Sequence, residues 1–265
     1  MNYRHIYHAG SFSDVFKHSI LALLVEHLQK NEKGFTYIDT HAGVGCYDLS
    51  NEEVKRSPEY QSGIARLLAE KNLPSLFESY LAIVKEYSAN DELTHYPGSP
   101  LVVAKLLRPQ DDMILNELHP DDFQQLKQTM RRYKQSHLHH RDAYEFLPSI
   151  LPPKLRRGLI LIDPPYENVA EFTHLKQLLN KAVKRFATGV YVLWYPIKRN
   201  EHESFIKAIR NQVNLPSVQI ELKIKDFNLE TNQLTGCGLL VINPPWQTEE
   251  KMIQMRDCLS DLFHQ

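Results

Sequence analysis

The chain has 265 residues, 42% hydrophobic and 24% charged, and its 31 Lys+Arg against 32 Asp+Glu leave a formal net charge of −1. Such a composition excludes disordered and fibrous classes, and the charge excludes a uniformly basic nucleic-acid coat protein without excluding a local basic face. Unbroken apolar runs such as 20–25 and 190–195 reach only six residues, too short to span a bilayer, and the length predicts one or two domains. From the N-terminus, Val15, Phe16, Ile20, Leu24 and Leu28 lie near helical spacing, which predicts a helix to about Lys30 with Ser13-Asp14 as its cap. Residues 35–39 read as a short buried strand, followed at once by the turn Thr40-His41-Ala42-Gly43-Val44-Gly45. Residues 47–97 are polar and acidic, with 5 Lys+Arg against 9 Asp+Glu. They hold two amphipathic helix candidates, about 60–71 and 75–88, punctuated by Pro58, Pro74 and Pro97.

From residue 98 onward strands and helices alternate: helix 100–107, strand 113–116, helix 121–134, a weaker strand 137–140, helix 143–150, strand 158–162. A helix (169–186), a strand (189–195), a helix (200–213), two strands (217–225 and 237–242) and a C-terminal helix complete the chain. This alternation predicts an α/β fold with a mostly parallel sheet. Residues 1–46 and 98–265 then form the main domain, and 47–97 a small helical subdomain inserted after the first strand. Met1-Asn2-Tyr3-Arg4-His5 lacks the apolar stretch of a signal peptide. Cys46, Cys237 and Cys258 are far apart, with no CxxC, so neither a disulfide framework nor a structural zinc is expected. The expected product is a soluble, cytoplasmic protein with reduced thiols.

Two glycines directly after a strand ending in Asp39 let a ligand approach the backbone closely, Gly43 foremost. A dinucleotide fingerprint would need a third glycine at position 48, which is Asp48, so a different nucleoside cofactor, S-adenosylmethionine, suits the loop better. Asp163-Pro164-Pro165-Tyr166 follows the apolar run 159–162 and is the most informative stretch. The exocyclic amine of a nucleobase is a poor nucleophile because its lone pair is delocalised into the ring. Acceptors at Asp163 and at the Pro164 carbonyl, held rigid by the proline rings, can draw that amine toward tetrahedral geometry. Tyr166 can stack on an extruded base. Asn243-Pro244-Pro245-Trp246 repeats the pattern after another apolar strand. Chain order favours Asp163, and the second copy is read as a strand terminator or a pocket wall.

Acids end other strands as well. Glu117 suits ribose hydroxyls, and Asp142 suits an adenine amine or, more plainly, caps the next helix. Residues 3–18 concentrate Tyr3, Arg4, His5, Tyr7, His8, Lys17 and His18. No HExxH appears, so a metal is not expected, and the absence of G-x-S-x-G argues against a triad hydrolase.

Taken together, Tyr3-Arg4-His5, His8-Ala9-Gly10, Asp14-Val15 with Lys17-His18, Asp39-Thr40-His41-Ala42-Gly43, Tyr96-Pro97-Gly98-Ser99-Pro100, Glu117-Leu118-His119-Pro120, Asp163-Pro164-Pro165-Tyr166 and Leu193-Trp194-Tyr195-Pro196 closely resemble RlmJ, the bacterial 23S ribosomal RNA adenine-N6 methyltransferase family. The resemblance runs from residue 3 to Trp246. It implies a Rossmann-like, S-adenosylmethionine-dependent methyltransferase with a small inserted helical subdomain, acting as a monomer on 23S ribosomal RNA, free or in early assembly particles. It implies cofactor contacts at His18, His41, Ser99, Glu117, Asp142, Ala143 and Asp163. It also implies that Tyr3, His5 and Lys17 matter for activity, with the N-terminal segment closing over the site. Ala143 stands where the family pattern has a glycine. Two rivals are a DNA adenine-N6 methyltransferase and a non-enzymatic nucleic-acid-binding protein linked to use of external DNA. Against the first, the acidic span 47–97 is a poor phosphate-binding surface. Against the second, a binding protein has no need of Asp163 and Tyr166 beside a cofactor loop. The net charge also hides basic tracts, with six Lys/Arg and no acid in 172–200 and five in 123–141, again without an acid.

Overall fold

The computed structural model describes residues 5–89, 92–167, 170–198, 201–225 and 234–264. Its centre is a seven-stranded sheet of β1 (Thr36–Asp39), β2 (Asp112–Asn116), β3 (Ser136–His139), β4 (Gly158–Ile162), β5 (Val190–Ile197), β6 (Ser217–Lys223) and β7 (Gly236–Ile242). Their order across the sheet is 6-7-5-4-1-2-3. Strands β1 to β5 are parallel, and β7 runs antiparallel between β5 and β6. Every residue of β1 and β4 is buried, so these strands read as continuous apolar runs without alternation.

Alternate side chains still sort to opposite faces. Tyr37, Leu159 and Leu161 point into one core, packed under helices α1 (Phe12–Gln29), Ser99–Leu106, Pro120–Met130 and Glu249–Phe263. Ile38, Ile160 and Ile162 enter the other, beneath helices Ala143–Ile150, Ala170–Arg185 and Glu201–Val213. The result is a doubly wound three-layer sandwich. The chain builds outward from β1 through β2 to β3, then returns to the other side of β1 for β4 and β5. The switch point therefore lies between β1 and β4, where such folds place ligands beyond the carboxyl strand ends.

α1 is buried from Ser13 to Val25. Truncating a core residue such as Ile20 to Ala would cost about 2–5 kcal/mol. Its cap is Ser11, not the predicted Ser13-Asp14: the Ser11 hydroxyl accepts from the Asp14 amide. With the cap supplied from outside the helix, the Asp14 side chain is free to turn inward.

Between β1 and β2 the chain adds short helices, Glu52–Arg56, Glu59–Ser62, Ile64–Ala69 and Glu78–Lys85. Two ribbons that the sequence reading did not foresee, Cys46–Asp48 with His95–Pro97 and Ser88–Ala89 with Glu92–Leu93, close the segment. The predicted helix 60–71 is broken at Gly63, whose backbone lies against the backbone of Gly10 and Ser11, too close for any side chain. Ile64, Tyr80 and Tyr96 of this segment enter the same core as α1.

Candidate active site

The carboxyl ends of β1, β2 and β4 converge at one edge, with β3 beside them. Asn116 ties the strand ends together, donating to the Thr40 and Arg141 carbonyls at 3.1 and 2.9 Å and accepting from the Arg141 amide at 3.1 Å. Asp39, at the end of β1, is fully buried and accepts from Tyr37 Oη (2.7 Å), Ser99 Oγ (2.6 Å) and the His41 amide (3.2 Å). Burial raises its pKa, and these donors offset only part of the rise. Glu117 accepts from the Gly43 amide (2.8 Å) and the His119 amide (2.7 Å), which fixes the glycine loop to the end of β2. Gly43 and Gly45 have φ of 60° and 79°, and a Cβ at Gly43 would come within 2.5 Å of Tyr47 Oη. The loop thus needs glycine both for its backbone and for its space.

Asp142 follows β3 and caps the helix Ala143–Ile150 by accepting from the Tyr144 amide at 2.7 Å, with Ala143 buried behind it. The plain cap reading is therefore realised at this end of the sheet, and the carboxylate retains acceptor capacity.

Two histidines face this edge. His18 is buried, bonded through Nδ1 to Tyr96 Oη at 2.8 Å and stacked on that ring. Burial lowers its pKa to about 3, and it lowers that of His41 to about 4. Both imidazoles are neutral at pH 7, so the carboxylates around them set the sign of the field.

At the switch point, α1 meets the end of β4. Lys17 Nζ lies 2.5 Å from Asp163 Oδ2 and 3.0 Å from Asp14 Oδ1, and Lys17 is only 4% exposed. Burial alone would lower the ammonium pKa, but Asp14 and Asp163 outweigh it and hold the group above the ordinary lysine range. Asp14 also accepts from His5 Nε2 at 2.9 Å and from the Gly10 amide at 3.0 Å. The structure therefore brings His5, Lys17 and Asp163 together, with Asp14 as an unforeseen member. Its i, i+3 spacing to Lys17 was the signal, masked because an acid in the first turn of a helix also suits a cap. Tyr3 lies outside the described residues.

Pro164 is buried, and Tyr166 sits at φ 53° with Oη donating to the Trp194 carbonyl at 2.7 Å. The Tyr166 ring is tilted against Phe172 and Trp194. Asp163, Pro165, Tyr166, Trp194, Lys17 and His5 line a cavity of about 250 Å³. His8 and Glu59 stand at the same cavity, 3.0 Å apart, and join the N-terminal turn His5–His8 to the helix Glu59–Ser62. Trp194 and this latch were not assigned roles from sequence.

Asn243-Pro244-Pro245-Trp246 lies at the opposite edge of the sheet. β7 is antiparallel, so Ile242 pairs with Tyr191 near the start of β5. Asn243 donates to the Ala187 and Gly189 carbonyls at 2.7 and 2.9 Å, and Trp246 is 80% exposed. The segment is a strand terminator. The alternative of a pocket wall fails, because reversal of the strand carries it away from Asp163. Among the described residues no group of three or more His, Cys, Asp or Glu is placed to hold a metal ion, and no helix is long and apolar enough to cross a membrane. The three cysteines are free thiols.

A doubly wound sheet with acids at successive strand ends, a glycine loop after β1 and a Pro-Pro loop at the switch point defines a Rossmann-like enzyme of the methyltransferase class. The profile of RsmJ, "Ribosomal RNA large subunit methyltransferase D, RlmJ", matches residues 32–265. The chain is 41% identical over 258 residues to ribosomal RNA large subunit methyltransferase J of Escherichia coli (strain K12), and 39% identical over 254 residues to the protein of that name from Haemophilus influenzae. Each alignment covers 95% of this chain and 90% of the relative. A crystal structure of a Legionella pneumophila protein is similar to it with a TM-score of 0.89 at 37% identity, over 97% of this chain and 94% of that one. The chain belongs to the RlmJ family of ribosomal RNA large subunit methyltransferases.

Proposed function

We propose that this protein transfers a methyl group from S-adenosylmethionine to N6 of an adenine in 23S ribosomal RNA, with Asp163, Pro164 and Tyr166 holding the base. The observation that carries this reading is the Asp163-Pro164-Pro165-Tyr166 loop at the switch point, opening on a cavity with Lys17, Tyr166 and Trp194 in its wall. The residues present also fit the cofactor. Gly43, at φ 60°, leaves the loop backbone without a side chain, Glu117 and Asp142 offer acceptors at adjacent strand ends, and burial keeps His18 and His41 uncharged. A ligand carrying a sulfonium and an amino group meets carboxylates there and no competing imidazolium. Ser99 spends its proton on Asp39, so toward a cofactor it acts as an acceptor.

S-adenosylmethionine, when bound, supplies a methyl carbon on a sulfonium that departs as a neutral thioether. Asp163 accepts a hydrogen bond from the adenine amine, and the Pro164 carbonyl accepts the second. Tyr166 stacks on the ring. As the new N–C bond forms, Asp163 takes the released proton or passes it to water. Asp14, Lys17 and Asp163 together carry a net charge of −1, so positive charge developing on the amine is still met by the favourable sign. Residues 47–97 act in this reading as an inserted helical subdomain that braces the N-terminal turn. The protein works as a cytoplasmic monomer, on free RNA or early assembly particles.

The test uses labelled S-adenosylmethionine with protein-free 23S RNA or duplex DNA, comparing the native protein with Asp163→Ala. Label is expected in RNA, as N6-methyladenosine, and lost in the variant. Label in DNA alone, or none in either nucleic acid with the protein folded, overturns the reading.

A further inference from the structure

We infer that Asp14 is a positioning residue, which anchors the Lys17 ammonium from behind and couples the N-terminal turn to the geometry at Asp163. The inference rests on the reading of Asp163 above. Lysine is a compact charge on a flexible four-carbon stem. With Asp163 as its only partner, the Lys17 ammonium would follow that carboxylate into the cavity and occupy the place of the incoming amine. Asp14, one helical turn earlier, supplies a second carboxylate, its Oδ1 3.0 Å from the ammonium. It is itself held by the Gly10 amide and by His5 Nε2. Four separate parts of the structure thus meet at one carboxylate: the turn at Gly10, the N-terminal turn through His5, α1 through Lys17, and by way of Lys17 the Asp163 loop. Asp14 is 1% exposed. A buried carboxylate is costly unless paired, and two of its partners here, Lys17 and His5, line the cavity.

Other ionisable groups stand close to Lys17 and Asp14. His18 is on the same helix, Cys237 comes from β7, and Tyr80 and Tyr96 face Asp14 from the 47–97 segment. Burial pushes His18 down to about 3 and Cys237 up to about 12, and it raises both tyrosines. His5 touches Asp14 directly.

The test compares Asp14→Asn and Asp14→Glu with the native protein. Lys17 is followed at pH 7 by NMR of 15Nζ-labelled lysine and assigned by its loss in Lys17→Arg. Asp14→Asn is expected to fold and to bind S-adenosylmethionine within about twofold of native, while kcat falls about 100-fold, the penalty typical of a misplaced group. The Lys17 ammonium protons, held between two carboxylates in the native protein, should exchange with water at least about tenfold faster in Asp14→Asn. Asp14→Glu should restore part of kcat. Unchanged exchange of the Lys17 ammonium overturns the inference, as does a kcat loss no larger than the loss of folded protein. The exchange measurement needs no substrate, so a native protein inactive on 23S RNA would overturn the proposed function and leave this measurement to stand or fall separately.

Discussion

The two Pro-Pro loops, Asp163-Pro164-Pro165-Tyr166 and Asn243-Pro244-Pro245-Trp246, are near copies in sequence and opposites in structure. Each ends a buried apolar strand, β4 or β7. The first opens at the carboxyl edge of the parallel strands, beside Lys17 and a cavity. The second closes the far edge, its asparagine pinned to two backbone carbonyls and its tryptophan in solvent. The tetrapeptide therefore does not make a site by itself. Strand direction decides which edge the loop serves, and only one edge carries the other acids and the lysine.

The largest expected effect breaks the comparison if it fails. Asp163→Ala should lower methyl transfer by about 1000-fold, in the range of a lost acid–base or electrostatic partner. Adding Asn243→Asp, which makes the second loop Asp-Pro-Pro-Trp, should restore nothing. Recovery of activity in the double variant would show that direction is not the deciding variable. Next, Tyr166→Ala should raise KM for RNA about tenfold, consistent with one lost stacking platform, while cofactor affinity stays within twofold. Trp246→Ala should alter neither, and isothermal titration with steady-state kinetics separates the two outcomes.

Acid should distinguish the edges too. His18 has a folded pKa of about 3, below the ordinary unfolded value of about 6.5. Between these values the unfolded chain holds the extra proton. Its contribution is thus fully present above pH 6.5 and is lost as pH falls toward 3. At pH 5 the loss is about 2 kcal/mol. It should appear as a lower melting temperature and as reduced hydrogen-exchange protection of α1, corrected for the intrinsic rate at each pH. His18→Gln should flatten that dependence. The smallest effect is Asn243→Ala, which removes two hydrogen bonds and should cost about 1–2 kcal/mol of stability. Its kcat should not change.

Much of the sheet was legible because parallel, doubly covered strands are plain apolar runs: 158–162 coincides with β4, and 143–150 with its helix. What was not legible has physical causes. The ribbon strands near residues 46–48 and 88–97 are two or three residues long, too short to show a period, and the first is paired across fifty residues of chain. The direction of β7 leaves no trace in composition, since an apolar strand reads the same either way. Asp163, Glu117 and Gly43 were chosen by residue type and motif, Lys17 and His5 through the resemblance, and all come to one edge. Asp14 was missed because its role depends on Ser11 taking over the cap, which only the backbone geometry reveals.

The placement of β7 also bears on how the chain is made. β5 is apolar along most of its length, and its partner on one side is β7, about forty residues later in the sequence. Until residues 236–242 leave the ribosome, that side of β5 is an open hydrophobic edge, and β6 has no neighbour to join. An unpaired, flat, apolar edge is the structure most prone to pairing with another nascent chain. Slow translation or truncation upstream of β7 should therefore aggregate this protein, although all of the motif residues of its candidate site up to Tyr166 have already been made.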